Sequence, residues 1–296
     1  MKKILVLGGN HYFGKKLVEL LLKENLDVTL LNRGNRDDGF ENKVKRIKCD
    51  RHDKISLEKA IVEKYDIVFD QSCFDYNQAK IACEVFNGKV DKYIFTSSIS
   101  AYNVSGPSIK EELFDPHTFT FDKKETAESN YGEAKRQAEV SFYKYATFPV
   151  TSIRLPIVLD ENDATGRLQF HVNRIKNDKP IFFSILDSLI SFVSADDAAR
   201  SLYELSQNEF TGPINVASSA PISLRNCMNE IEKIVGKDLI LAKEQTENNN
   251  SPYNISEDWY VDCSKLSALG IKLESITSYL PRMVQSISKT GCNYAD

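Results

Sequence analysis

The first half of the chain alternates short apolar segments with amphipathic segments of helical periodicity. The apolar segments have the length of buried strands, and the segments between them place apolar residues three and four positions apart. Strands predicted in this way lie at residues 4–7, 27–31, 44–49, 66–69, 93–97 and 150–154, and helices at 14–23, 56–63, 77–86 and 131–145. Strands joined by helices form a parallel sheet covered on both faces, and right-handed crossovers make a doubly wound sheet the simplest topology. The predicted fold is therefore a Rossmann-type α/β fold.

The second half is less regular and predicts a smaller α/β lobe. Helices are expected at residues 167–175, 195–205, 224–235 and 276–287, and short strands at 191–194, 214–217 and 239–242. Pro281 should kink or shorten the last helix. We therefore expect residues 1–155 to form the doubly wound domain, elements near 188–217 to return to its sheet, and residues 156–296 to form mainly a substrate-binding lobe.

The charge and cysteine content exclude several classes of function. The net charge of −4 and the pI near 5.7 argue against a nucleic-acid-binding surface, which needs a basic stripe. The cysteines are scattered without a C-x-x-C pair or a histidine cluster, which predicts reduced thiols and no metal site. They are Cys49, Cys73, Cys83, Cys227, Cys263 and Cys292. The N-terminal apolar run is too short for a signal peptide and no run of 18 apolar residues exists, so we expect a cytoplasmic protein without a membrane span.

A glycine-bearing turn follows the first predicted strand. Gly8 would supply the tight turn, and Gly14 would allow the next helix to pack closely against the strand. The N–H groups at the start of that helix have no partner within it, and together with the helix dipole they favour a phosphate group. A strand-to-helix loop that binds nothing is the alternative.

Two further motifs carry candidate chemistry. Tyr131 and Lys135 are one helical turn apart, so both side chains lie on one face, where the ammonium can lower the pKa of the phenol. Ser97 and Ser98 end the strand predicted at residues 93–97, and the carboxyl ends of parallel strands meet at the same edge of a sheet as the glycine turn. Y-x-x-x-K also arises by chance on helices, and a serine pair can be a strand-end cap.

These motifs, taken in order, resemble the extended short-chain dehydrogenase/reductases of the NAD-dependent epimerase/dehydratase family. Residues 8–14 (GGNHYFG) resemble the G-x-x-G-x-x-G loop of that family, and residues 93–102 resemble its fifth strand, with Ser98 at the catalytic serine or threonine position. Tyr131 and Lys135 match its Y-x-x-x-K pair. Further segments that resemble family motifs are residues 192–199, 212–217 and 262–270.

The resemblance implies an NAD(P)-dependent epimerase or oxidoreductase that transfers hydride to or from a sugar-like alcohol or ketone. Tyr131 would exchange the hydroxyl proton, Lys135 would lower the pKa of the tyrosine and hold the nicotinamide ribose, and Ser98 would position the reacting oxygen. Dehydration is the weaker option, because Ile99 follows Ser98 where a carboxylate pair would be needed.

The cofactor contacts that the resemblance implies lie on three loops. They are Gly8, Asn10, His11, Tyr12, Phe13, Gly14, Asn32, Arg33, Asp50 and Arg51. His11 replaces the middle glycine of the motif, as in a branch that resembles plant chloroplast stem-loop-binding proteins. Asn32 and Arg33 stand where NAD-specific members carry a carboxylate, and an arginine there, with Arg36 nearby, favours NADP(H) over NAD(H). Asp50 would meet the adenine amino group, with an ordinary strand-end cap as the alternative.

The substrate and partners are less constrained. Nucleotide-sugar members of the family carry an arginine where this chain has Ile190, and residues 154–160 replace their Y-G-P segment, which disfavours a nucleoside-diphosphate sugar. The family also suggests a homodimer through a two-helix face, for which residues 77–86 and 131–145 are candidates. The alternative function, prompted by His11, is a non-catalytic nucleotide-sensing or RNA-associated protein, although nucleic-acid binding is disfavoured by the acidic charge balance.

Overall fold

The computed structural model describes residues 1–290. The prediction of a reduced thiol at Cys292, and the end of the lobe predicted for residues 156–296, lie outside these residues.

The described strands and helices alternate through the first half of the chain, as predicted. In chain order the strands are β1 (Lys3–Leu7), β2 (Asp27–Asn32), β3 (Lys45–Lys48), β4 (Tyr65–Asp70), β5 (Val90–Ser98), β6 (Gly106–Ile109), β7 (Val150–Leu155), β8 (Ile157–Leu159), β9 (Leu189–Ile190), β10 (Phe192–Ser194), β11 (Gly212–Asn215), β12 (Ile222–Ser223) and β13 (Trp259–Val261). The helices are α1 (Tyr12–Lys23), α2 (Lys54–Ala60), α3 (Tyr76–Phe86), α4 (Ala127–Tyr145), α5 (Arg167–Lys176), α6 (Ala195–Ser206), α7 (Leu224–Val235), α8 (Ser264–Ala268) and α9 (Ile276–Thr290).

Seven parallel strands form the main sheet in the order β11-β7-β5-β4-β1-β2-β3. The order reverses between β1 and β4, because the chain first builds outward to β3 and then returns to the other side of β1. A crevice opens at such a switch point, beyond the carboxyl ends of the strands. The structure therefore confirms the doubly wound Rossmann-type fold and places the glycine turn at the crevice.

Both faces of this sheet are buried. In β1, Ile4 and Val6 belong to the apolar layer shared with α1 and α6, whereas Leu5 and Leu7 belong to the layer shared with α2, α3 and α4. This alternation is what a strand covered on both sides requires, since successive side chains point to opposite faces. It holds the end of β1, and hence the glycine turn, in a fixed position.

The second half adds a smaller sheet with the order β12-β9-β13-β6 and the pair β8–β10. Helices α5, α7 and α9 pack together over a third apolar cluster, which includes Leu168, Met228 and Tyr279. The strand β11 does not join this lobe. It pairs with β7 at the edge of the main sheet.

Two local predictions for this half differ from the structure. Of the two effects expected at Pro281, the shortening is wrong, because α9 continues to Thr290 with the proline inside it, whereas a kink stays a prediction. Leu280 and Val284 of this helix are fully buried in the apolar cluster of the lobe. Residues 239–242 form no strand but contribute only an isolated bridge between Ile181 and Leu241. Leu241 is 52% exposed, so this segment has no buried face to stabilise a strand.

Candidate active site

The glycine turn lies tightly against β1. Gly8 and Gly9 have φ of 98° and 75°, which favour glycine, and a Cβ on Gly9 would lie 2.8 Å from the Cγ1 of Val6. A Cβ on Gly14 would overlap the side-chain oxygen of Gln71, in the loop after β4, and would lie 3.2 Å from the Cα of Gly9. The turn therefore brings the start of α1 as close to the crevice as the backbone allows.

The same turn leaves one buried polar atom without a partner. The amide nitrogen of Gln71 is buried and makes no hydrogen bond within residues 1–290. Other atoms of the same side chain lie beside Gly8 and Gly14. Unpaired buried donors are rare in native structures, and one at the mouth of a crevice is satisfied when a ligand with acceptor oxygens binds. The glycine cradle and this donor together fit a dinucleotide.

His11 and Tyr12 occupy different environments at the start of α1. His11 has extended backbone (φ −159°) and its side chain does not cap the helix, but its Nδ1 lies 3.1 Å from the Oδ1 of Asn10. Desolvation, and then the charge of Arg36, lower the pKa of His11, which favours a neutral imidazole. Tyr12 has φ of 55° and donates its hydroxyl proton to the carbonyl of Val158, so its ring ties the turn to β8. The neighbouring Phe13 ring lies 5.2 Å from that of Tyr12.

Cations surround the loop after β2. Asn32 accepts a hydrogen bond from the N–H of Gly34 (2.9 Å), and Arg33 and Arg36 are exposed. The structure adds Lys48, from the edge strand β3, because a Cβ on Gly34 would lie 3.5 Å from its Cδ and Cε. Sequence reasoning missed Lys48. The only signal was the basic composition of β3, which is also typical of an edge strand.

Asp50 and Arg51, which follow β3, make different contacts. Asp50 accepts a hydrogen bond from the N–H of His52 (2.9 Å), which is the capping role considered as its alternative. Arg51 is only 5% exposed; its guanidinium lies 2.9 Å from a carboxylate oxygen of Asp70 and donates to the carbonyl of Gln78 at 3.2 Å. Its side chain stabilises the interior, because the buried carboxylate at the end of β4 requires a counter-charge. The buried Nε of Arg51 has no hydrogen-bond partner within residues 1–290. A contact between Arg51 and the cofactor therefore stays a prediction.

Ser98 ends β5 and begins the 3₁₀ turn Ile99–Tyr102. Its Oγ accepts a hydrogen bond from the N–H of Ser100 at 3.1 Å, so Ser98 caps this turn. Among residues 1–290 its hydroxyl proton has no protein acceptor, which leaves that proton available for a ligand. The strand-end cap and a catalytic role are therefore compatible.

Helix α4 contains a break that puts Tyr131 at the start of a helical segment. Asn130 has non-helical backbone (φ −159°, ψ 94°), and its side-chain oxygen accepts a hydrogen bond from the N–H of Glu133 (3.1 Å), as an N-cap residue does. A Cβ on Gly132 would lie 2.6 Å from the carbonyl oxygen of Ser100. Gly132 thus allows the segment to pack directly onto the 3₁₀ turn that follows Ser98.

Lys135 is a buried cation that faces the tyrosine. It is 2% exposed, and its ammonium donates to the carbonyl oxygens of Cys73 (2.6 Å) and Thr96 (2.9 Å). The ammonium lies 6.0 Å from the centre of the Tyr131 ring, whereas Tyr131 itself is 42% exposed. Within residues 1–290, no carboxylate lies within 4.0 Å of this ammonium. The two side chains do share one face, and one of the three ammonium protons has no acceptor in the described chain.

A second buried cation lies behind Ser98. Arg154 of β7 is paired with Glu139 of α4 at 2.7 and 3.0 Å, and both side chains are fully buried. Arg154 also donates to the hydroxyl of Tyr102 (3.0 Å), and Ser97 donates to Glu139. Sequence reasoning treated Arg154 only as part of a divergent segment. The signal available was a charge within an otherwise uncharged strand.

A pocket of about 640 Å³ opens beside the 3₁₀ turn that follows Ser98. Its walls come from that turn and the chain after it, and from residues 254–259, which lead into β13.

No helix within residues 1–290 is long and apolar enough to span a membrane. The same residues contain no group of three or more His, Cys, Asp and Glu side chains that could hold a metal ion.

The chain matches a known protein family over most of its length. A sequence model described as the NAD dependent epimerase/dehydratase family matches residues 4–217. A curated protein similar to this chain is the chloroplast stem-loop binding protein of 41 kDa b of Arabidopsis thaliana, which is 29% identical over 141 residues. That match spans 42% of this chain and only 37% of the relative.

Solved structures share the fold at low sequence identity. The UDP-glucose 4-epimerase of Thermus thermophilus, in complex with NAD, has a TM-score of 0.75 and 17% identity, over 98% of this chain and 100% of that one. The UDP-glucuronic acid 4-epimerase of Bacillus cereus, also with NAD, has a TM-score of 0.77 and 19% identity, over 99% of each chain.

Proposed function

The chain belongs to the NAD dependent epimerase/dehydratase family, and on that premise we propose that it is an NAD(P)-dependent epimerase or oxidoreductase for a sugar-like alcohol or ketone. The observation that carries this proposal is the pair formed by Tyr131 and Lys135. A partly exposed phenol faces a buried ammonium that has no carboxylate partner in the described chain, at the edge of the sheet where the glycine turn and Ser98 also lie.

Each proposed catalytic side chain has a defined task. Tyr131 takes the proton of the substrate hydroxyl, or returns it to a ketone oxygen. Lys135 contributes a fixed positive charge that favours the phenolate, and its third N–H donates to a ribose hydroxyl. Ser98 donates its free proton to the reacting oxygen and holds it beside Tyr131. The nicotinamide, when bound, supplies the hydride acceptor and donor.

The cofactor contacts proposed are Gly8, Asn10, His11, Tyr12, Phe13, Gly14, Asn32, Arg33, Asp50 and Arg51, and to these we add Gln71 and Lys48. The start of α1 and the amide of Gln71 would hold the pyrophosphate. Arg33, Arg36 and Lys48 support a preference for NADP(H), since exposed cations at the loop after β2 suit a 2′-phosphate. Titration with NADPH and with NADH tests this preference, and equal affinities would contradict it.

Replacing Tyr131 with Phe tests the catalytic assignment. Turnover should fall by about 10²- to 10⁴-fold, because proton transfer is lost, while cofactor affinity measured by fluorescence titration should stay within about twofold, since the main cofactor contacts remain. Tyr203→Phe is a matched control, because it removes a hydroxyl from α6, outside the crevice. Full turnover in the Tyr131 variant would exclude this mechanism.

A second function is favoured by the similarity to the stem-loop binding protein and by the bulky His11 in the glycine turn. In that case the chain would keep the fold and bind a structured nucleic acid without hydride transfer. Binding to a labelled RNA hairpin, with an affinity that falls steeply as salt rises, would support this function. The net charge of −4 weighs against it.

A further inference from the structure

The pocket beside Ser98 has the size and position of a substrate site. Its volume of about 640 Å³ is within the usual range for small-molecule sites. Ile99 and Ser100, which directly follow Ser98, form one wall, and Trp259 of β13 forms part of the other. A molecule that occupies this pocket therefore lies next to the proposed catalytic hydroxyl groups.

Most polar groups of the pocket are uncharged. They are hydroxyl and amide side chains on both walls, and each of them can donate as well as accept a hydrogen bond. These residues are Ser100, Asn103, Ser105 and Ser256. Asn254 also lines the pocket, but its amide accepts from the N–H of Ser184 and donates to Asn250. Trp259 adds an aromatic surface that is only partly buried. A small ring that carries hydroxyl groups matches this pocket, because its hydroxyls pair with amides and hydroxyls and its C–H groups pack on an aromatic ring.

The charge of the pocket is negative. Glu257 is the one charged residue among the described residues that line it, and it accepts a hydrogen bond from Ser105. Neither lysine nor arginine belongs to this lining. Ile190, which pairs with Trp259 in the small sheet, is fully buried in the apolar core of the lobe. A diphosphate placed here would meet a carboxylate and no cation.

Arg167 begins α5 and carries a positive charge. It lies outside the pocket lining, and its charge acts on Tyr12. The carboxylates of Asp160 and Asp163 share that environment, because both act on the same tyrosine ring. Lys16 also lies 3.4 Å from Asp160. The positive charge of Arg167 is therefore accompanied by two acidic groups and leaves no local excess of positive charge.

We infer that the pocket between the 3₁₀ turn Ile99–Tyr102 and β13 binds a neutral polyhydroxylated substrate, such as a free sugar or polyol, and not a nucleoside-diphosphate sugar. The inference rests on the proposed function, because it names the substrate of the same site. It follows from the uncharged hydrogen-bonding groups, the aromatic wall and the single carboxylate.

Trp259 provides the readout, since it is the one tryptophan of the chain. The protein is first saturated with oxidised cofactor, so that the pyrophosphate site is filled, and is then titrated with a panel of neutral aldoses and polyols, and separately with UDP and UDP-glucose. At least one neutral compound should change the tryptophan fluorescence in a saturable way and should be oxidised, as followed by cofactor absorbance. UDP and UDP-glucose should do neither.

Charge reversal at the pocket sharpens this test. Glu257→Lys should give UDP a weak saturable fluorescence response that the unaltered protein lacks, because it replaces a repulsive charge with an attractive one at an exposed position. Glu209→Lys is the matched control: Glu209 precedes β11, at the end of the main sheet opposite the crevice, so the same change of net charge there should leave UDP binding unaltered.

The outcomes separate the two proposals. Saturable UDP-glucose binding to the cofactor-loaded protein would overturn the inference about the substrate, and so would the absence of any response to the neutral panel. Either result leaves the hydride-transfer function to be judged by cofactor binding and by the Tyr131→Phe variant. Failure to bind any nicotinamide cofactor would instead remove the proposed function itself.

Discussion

Two buried cations on the same side of the main sheet have opposite surroundings. Arg154 is fully buried and forms a bidentate pair with the equally buried Glu139, and its remaining N–H groups donate to Tyr102 and to backbone carbonyls. Lys135, one helical turn from Glu139 along α4, is nearly as buried but contacts carbonyl oxygens and aromatic rings.

The difference indicates which charge belongs to the scaffold and which to the site. A buried charge is costly unless a counter-charge or hydrogen bonds compensate it. Arg154 is compensated within the fold and needs nothing from a ligand. Within residues 1–290, Lys135 is compensated by carbonyl dipoles and aromatic rings and by no carboxylate, so its charge and its third N–H remain available to a phenolate and to a ribose hydroxyl. Substitutions of the two residues should therefore affect different properties.

The largest effect is expected for Lys135→Met, and it should fall on activity. Turnover should drop by about 10²- to 10⁴-fold, because the charge that favours the phenolate is lost. The free energy of unfolding, measured by denaturant titration, should change by roughly 1 kcal/mol or less, since loss of the desolvated charge offsets the lost carbonyl contacts. Severe destabilisation without a defect in the remaining folded enzyme would place Lys135 in the scaffold and end the contrast.

Arg154→Met should instead lower the stability of the fold and leave activity nearly unchanged. Removing the guanidinium leaves Glu139 buried without a counter-charge, which should reduce the free energy of unfolding by about 3–5 kcal/mol. Turnover per folded molecule should change little, because Arg154 does not face the crevice.

The double variant Arg154→Met with Glu139→Leu provides the control for this change. It removes both charges, so most of the lost stability should return. If the double variant were as unstable as the single one, the ion pair would not be the source of the stability.

His171 offers a smaller, third case, in which a buried base remains neutral. Its ring is enclosed by the carbonyl of Arg167 (2.7 Å) and the hydroxyl of Ser251 (2.8 Å), and burial lowers the pKa of His171 from 6.5 to about 3. The unfolded chain thus takes up a proton below about pH 6.5 that the folded chain does not, and stability falls with falling pH.

Replacing His171 with Gln should therefore remove roughly 1–2 kcal/mol of the stability loss that the unaltered protein shows between about pH 7 and pH 5. Urea unfolding at several pH values measures this. His52→Gln, at an exposed position, is the control and should keep the full pH dependence. An unchanged pH dependence in the His171 variant would mean that this histidine is protonated in the folded protein.

Regular periodicity made the main sheet predictable from sequence, and local motifs made the region of the site predictable. Six strands of the main sheet, β1–β5 and β7, were predicted to within a few residues of their observed ends, because most of them are short segments rich in apolar residues between helices. The small strands β6, β8, β9, β12 and β13 were not predicted, since two to four residues carry little periodicity and their pairing depends on contacts between distant segments.

The contacts of individual side chains were harder to predict than the region of the site. Arg51 was predicted to contact the cofactor from its position after β3. Its ion pair with Asp70 was not predicted, because Asp70 lies 19 residues away and is adjacent only in the fold. Lys48 was missed for the same reason, because its proximity to Gly34 arises from strand pairing. Spacing along one helix was enough for Tyr131 and Lys135, whose relation depends only on helical geometry.

The break at Asn130 has an electrostatic consequence. In an unbroken α4 the tyrosine would be the fifth residue, beyond the first turn, where the field of the helix end has largely decayed. The break makes Tyr131 the first residue of a new helical segment, so it stands at an end where unpaired N–H groups carry a partial positive charge. The aligned peptide dipoles of the segment stabilise negative charge at its first residue without any contact with the phenol. Asn130→Ala removes the side chain that caps the segment and should therefore weaken this stabilisation.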